Sequence, residues 1–119
     1  MEASTLTLPR RQQTMEALAK ANRRRNDHIG LKRDLAAGRV RAADALADPR
    51  AAGSFTIGTL LTAQRGWGEL TALEFLKTIG APPTVMMKQV DSLTGRQRGI
   101  LTAALRQPFA PVEGEDRWL

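Results

Sequence analysis

Residues 60–80, LLTAQRGWGELTALEFLKTIG, constrain the fold of this 119-residue chain more than any other stretch. Two glycines, Gly66 and Gly68, flank a single tryptophan between two runs with helical apolar spacing. Glycine inside a helix costs roughly 1 kcal/mol relative to alanine, and it is the residue that most readily turns the backbone left-handed. The first run belongs to a helix predicted over 55–64, with Phe55, Ile57, Leu60 and Leu61 as core candidates and Ser54 as its cap. The second run predicts a helix over 69–79, with Leu70, Leu73, Phe75, Leu76 and Ile79 apolar and Gly80 closing it. Residues 65–68 must then be a tight turn.

The rest of the chain extends this helical pattern. Residues 9–37 predict one long helix, with Pro9 in its first turn and Gly38 as its stop. Its apolar positions are uneven: Met15 and Leu18 share one face, while His28, Leu31 and Leu35 share another. The intervening AKANRRRND is almost wholly polar. The second half is therefore expected to pack on the core, and the first to project, with Asn22, Asn26 and Gly30 weakening the helix. A short helix over 42–48 ends before Asp48-Pro49, residues 49–54 read as a loop, and 84–90 read as a helical turn with Val85, Met86 and Val90 inward. Thr94 and Gln97 form a capping-box pattern that opens a last helix to about residue 106. No strand pattern competes. The expected fold is all-α, with a flexible start over 1–8, a long basic helix over 9–37, a helical core over 42–107 and a flexible acidic tail over 108–119.

Composition narrows the chemistry. The chain has no cysteine and one histidine, His28, so thiolate and His-rich metal sites are not expected. His28 lies in a basic helix with no glycine elbow elsewhere, which leaves no nucleophile scheme, and the chain does not read as an enzyme. No apolar run approaches the roughly 20 residues that span a bilayer, and the first residues lack a signal-peptide core. The expectation is a soluble cytoplasmic protein without cofactor or metal. Eighteen Lys and Arg stand against twelve Asp and Glu, a net charge of +6. The excess is +5 over residues 1–50 and +3 over 51–112, and the charge is −2 over 113–119. Such a balance points to a polyanion, nucleic acid before membrane, although a merely solvated surface has the same composition.

The glycine turn adds a geometric reason. A turn around Gly66 and Gly68 can present backbone N–H groups beside the positive end of the following helix, an arrangement suited to a phosphate. An ordinary helical hairpin with glycine caps has the same sequence. Arg23, Arg24 and Arg25 read as a DNA-contacting face or as a solvated one. Arg96 and Arg98 open the last helix, where positive charge opposes the dipole, so an anionic partner would relieve them. Trp67 reads as a surface-packed aromatic before a wedge between bases. Met86 and Met87 read as core filler, and His28 as half-packed on the core.

From about residue 14 to 106 the chain resembles the actinobacterial integration host factors, single-chain nucleoid proteins. The shared pattern comprises Leu31-Lys32, Leu35 and Gly38; then Ile57, Leu60 and Leu61; then Gly66, Gly68, Ala72, Phe75 and Leu76; and finally Leu93, Arg96, Gln97 and Arg98. The resemblance implies a helix–two-turns–helix fold of the ribosomal S-thirteen type. It also implies duplex DNA binding with little sequence preference, a monomeric and nucleoid-associated protein, and assistance to an integrase. The DNA-contacting set it implies is Arg23, Arg24, Arg25, Lys32, Arg65, Gly66, Trp67, Gly68, Thr71, Lys88, Arg96 and Arg98. The chain departs from the family at Glu69, where a basic residue is usual, and in TVMMKQVDS, where only Lys88 remains of a basic segment. It also has extensions at both ends, as a divergent, phage-encoded member would. An RNA or ribosome binder of the same fold, and a protein adaptor using Trp67 with Met86 and Met87, are the alternatives.

Overall fold

The computed structural model describes residues 10–112 and 117–118. The expected flexible start therefore lies outside the described residues. Among those described there are five α-helices: α1 (Arg10–Ala37), α2 (Ala42–Ala45), α3 (Ile57–Ala63), α4 (Glu69–Thr78) and α5 (Gly95–Arg106). Short 3-10 turns occupy Pro49–Ala51, Pro83–Met87 and Val90–Ser92. No strand forms among the described residues, and the only extended pairing there is a single bridge between Thr56 and Gln89.

Helix α1 divides into two halves that obey different rules. Leu31 and Leu35 are its buried residues, and every residue from 10 to 27 is exposed. The helix stops where the sequence predicts. Gly38 takes φ +75°, and the N–H groups of Gly38 and Arg39 donate to the carbonyls of Leu35 and Asp34 at 3.2 and 2.9 Å, a closed glycine cap. The anchored half is tied down twice more. Asp34 accepts from Arg39 and Arg50 at 2.8 Å each, and Arg50 also pairs with Asp48 at 2.9 Å. His28 reaches the Ala52 carbonyl at 2.7 Å and meets the Phe55 ring edge-on at 5.2 Å, half-packed as expected. The projecting half stretches the molecule to 64 Å along its longest axis, against 30 and 20 Å across.

The core is built from Leu31, Leu46, Phe55, Ile57, Leu60, Leu61, Phe75, Leu76, Ile79, Val90 and Leu101, all essentially inaccessible. It is almost free of sulfur and carries no buried charged side chain. Gly58 lets the segment at Met86 pass close over α3. A Cβ there would lie 2.8 Å from the Met86 carbonyl oxygen.

Several sequence expectations need correction. Ser54 does not cap α3. Phe55 is extended, its carbonyl accepting from Val90 N–H at 2.9 Å, so the helix begins two residues later with Thr56 as its cap. Helix α2 is shorter than 42–48, and the expected loop over 49–54 opens with a 3-10 turn capped by the Asp48 side chain. Leu70 is 77% exposed and Met87 is 82% exposed, because Ala72, Phe75 and Leu76 form the inward stripe of α4 and Val85 and Met86 fill the space under the 3-10 turn.

The described part of the tail is not free either. Phe109 lies against Trp67 and Phe75, with ring centroids 5.6 and 6.2 Å apart, and Val112 packs on the core. Trp118 is buried and its N–H donates to the Ile79 carbonyl at 2.8 Å. A large apolar side chain near each end of the segment outweighs the polar residues between them. The acidic positions Glu113, Glu115 and Asp116 lie outside the described residues.

Candidate nucleic-acid interface

The projecting half of α1 carries Arg10, Arg11, Lys20, Arg23, Arg24 and Arg25 against Glu16 and Asp27. The three ion pairs among the described residues all lie outside this stretch, on Asp34 and Asp48. At about 100° per residue, Arg24 continues the Leu31–Leu35 stripe, with Arg23 and Arg25 flanking it a quarter-turn to either side. Arg10 and Lys20 fall within about 40° of Arg24 and only Arg11 turns toward the other side, so the cations form one broad face of the helix. The Arg24 side chain reaches back over Gly53, where a Cβ would lie 2.3 Å from its guanidinium. Gly53 has φ +80°, a conformation that favours glycine whatever the position of the Arg24 side chain. Lys20, Arg23, Arg24, Asn26 and Asp27 border an open cavity of about 420 Å³. Lys32, one turn below, is exposed.

The glycine turn is only partly what its sequence suggests. Gly66 has φ +82°, with open space where a Cβ would stand. Gly68 is extended at φ −92° and is the N-cap of α4, a conformation that any residue adopts. The Trp67 N–H closes the turn on the Gln64 carbonyl at 3.1 Å, so it points into the turn and not toward a ligand. No side chain caps α4. Its first turn presents exposed Glu69 and half-buried Thr71, so a carboxylate stands at the positive end of the helix, where it is stabilising. Arg65 is exposed beside them. Trp67 is half-buried, with its ring 5.5 Å from Phe75, which leaves it a packing residue.

Two basic residues have other partners. Arg98 is half-buried and its guanidinium donates to the carbonyls of Leu46 and of Val90, the latter at 3.0 Å. It joins α5 to α2 and to the last 3-10 turn, a structural use beside the phosphate contact that the resemblance implies. Arg96 is exposed and donates to the carbonyls of Arg117 and Trp118 at 3.0 and 3.3 Å, which ties it to the described end of the tail. Lys88 is half-buried in the segment that bridges to Thr56.

The structure also gathers residues that the sequence reading omitted. Arg41, at the start of α2, and Arg106, at the end of α5, join Arg65 around a groove of about 490 Å³ beside Gly38 and Trp67. These three positions are far apart in sequence and carry no shared motif. Only the hydrophobic register of α5, which returns Arg106 to the start of α2, could have signalled the pairing.

Neither carboxylate of the Arg50 network belongs to the cationic half of α1. The Arg50 guanidinium, hydrogen-bonded to both, holds the Asp34 and Asp48 carboxyls below the usual range, and Arg50 itself is held further into its charged form. No group of three potential metal-ligating residues exists among the described residues, and no described helix is long and apolar enough to cross a membrane. No family model, curated protein or solved structure matches the chain, so the likeness of motif order stands on the residues quoted for it.

Proposed function

We propose that this protein binds duplex DNA through the phosphate backbone, with weak sequence preference, as an architectural protein. One observation carries the reading: residues 10–27 form an exposed helical stretch with six cations and two anions and no ion pair among the described residues. Charge that forms no ion pair among the described residues adds little to the fold, so this stretch, with Met15 and Leu18 also exposed, answers to something outside it. A broad cationic face suits the phosphates that line a DNA groove. A helix of ~10–12 Å diameter matches a major groove ~12 Å wide. The motif order shared with the actinobacterial integration host factors supports the same partner. With it come the helix–two-turns–helix reading, nucleoid association and assistance to an integrase. Of the residues the adaptor alternative would use, Trp67 packs on Phe75 and Phe109 and Met86 on the core, which leaves only Met87 exposed.

The test is a titration of labelled mixed-sequence duplex at several salt concentrations. Counterion release predicts binding in the micromolar range or tighter at low salt, with a log–log slope corresponding to about four to eight phosphate contacts. A flat salt response would overturn the reading. Displacement by structured RNA well ahead of duplex DNA would favour the RNA-binding alternative.

A further inference from the structure

We infer that the groove between the ends of α1, α3 and α5 is a second seat for a DNA phosphate, held by Arg41, Arg65 and Arg106. The inference rests on the duplex-binding reading above but on residues outside the 10–27 stretch, two of which, Arg41 and Arg106, the resemblance does not imply. The groove has a volume of about 490 Å³ and no carboxylate among its lining residues. The three arginines come from three separate elements and are all exposed. None forms an ion pair among the described residues, where Asp34 and Asp48 are taken by Arg39 and Arg50. The floor is apolar, with Leu35, Val40 and Leu105 beside the Trp67 indole.

A simpler explanation is that the arginines neutralise helix dipoles, since the C-terminal ends of α1, α3 and α5 all meet here. Magnitudes decide against that as the whole account. Each helix end contributes about −0.5 of a charge, so three guanidiniums leave the groove at about +1.5. The carbonyls at the end of α1 are moreover already closed by the Gly38 cap. The surplus is positive, open to solvent, and supplied by the side chain whose planar fork matches phosphate oxygens. Arginines around an apolar floor fit a sugar–phosphate unit, with deoxyribose on the floor and the phosphodiester on the guanidiniums. The groove opens beside Gly38, where α1 ends, while the cationic stretch occupies the other end of that helix. One duplex touching both would be gripped at two separated places.

The test compares Arg41→Ala and Arg106→Ala, singly and together, with Lys77→Ala as a control for lost charge away from the groove. Binding of mixed-sequence duplex is measured against salt, and the melting temperature is measured alongside. Each groove substitution is expected to reduce the log–log slope by about 0.9 and the double by about twice that, with Lys77→Ala having little effect. Arg41→Lys should restore the slope without the full affinity, because the charge returns and the fork does not. A second readout uses no variant: inorganic phosphate should quench or shift Trp67 fluorescence and move the guanidinium N–H resonances of Arg41, Arg65 and Arg106. If duplex binds with an unchanged slope in the double variant, or if those resonances do not respond to phosphate, the seat does not exist. If the wild-type chain binds no duplex, the function proposed above fails, and the phosphate titration alone then supports or removes the seat.

Discussion

The two halves of α1 share one backbone and one helical register, yet only one of them is accounted for by the fold. From His28 onward the helix is held by Leu31, Leu35 and the Asp34–Arg50–Asp48 network. Residues 10–27 bury nothing. The difference separates what folding requires from what a partner would require. Helix nucleation is costly and propagation is cheap, so an anchored half can template a polar extension that would be marginal alone. The anchored half can thus be read as structure, and the extension as interaction surface.

The sharpest way to break this comparison is Leu31→Ala. Leu31 is fully buried, and truncating such a leucine costs about 2–5 kcal/mol. Global melting should fall steeply, and the helical signal of residues 10–27 should go with it. A variant that melts normally would mean that α1 is not templated from its anchored end.

Replacing Arg23, Arg24 and Arg25 together with Ala is the converse. All three are exposed, so the melting temperature should barely move while duplex affinity falls. The log–log salt slope should drop by up to about 0.9 per lost contact. Unchanged affinity would place the DNA elsewhere on the molecule.

Acid should loosen the Asp34–Arg50–Asp48 network of the anchored half. Arg50 holds the Asp34 and Asp48 carboxyls below their ordinary values in the folded chain. Depressed folded values mean that the stabilisation is present above the unfolded carboxyl value near ~3.9 and is lost as pH falls through the folded values. Melting temperature measured from neutral pH downward should therefore decline below about pH 4. Asp48→Asn should lower the plateau and flatten that decline; a decline as steep as the wild type's would assign it to other carboxylates.

The smallest effect belongs to Glu69→Lys. Reversing a charge in the first turn of α4 should cost roughly 0.3–1 kcal/mol through the helix dipole. If the glycine turn faces DNA, the same change should raise the salt slope by about 0.9. Stability lost with no gain in binding would leave the turn out of the interface.

The elements were largely legible because their signals are local. The capping box at Thr94 and Gln97 forms as its spacing predicts, with both reciprocal hydrogen bonds present. Gly38 and Gly80 close their helices with positive φ. The errors arise where tertiary contacts override local pattern. Phe55 pairs with Val90 and delays α3, a long-range hydrogen bond that no helical periodicity reveals. Leu70 belongs to an apolar run, but only one side of α4 meets the core. Of the candidate site, the cationic stretch was readable as composition, since all of its residues are exposed. Arg98 was not, because its acceptors at Leu46 and Val90 come from elsewhere in the chain. Arg41 and Arg106 were missed for the same reason, having no common motif to mark them.

The uneven support along α1 has a mechanical consequence. A helix held from His28 onward and exposed from there back to Arg10 is a cantilever about 27 Å long, at 1.5 Å per residue. A tilt of about 10° at the grip sweeps the tip through roughly 5 Å over that length, more than one base-pair step of ~3.4 Å. Small repacking around Leu31 and Arg50 is thereby magnified at the far end, and the tip can search a neighbouring surface while the body of the protein stays still.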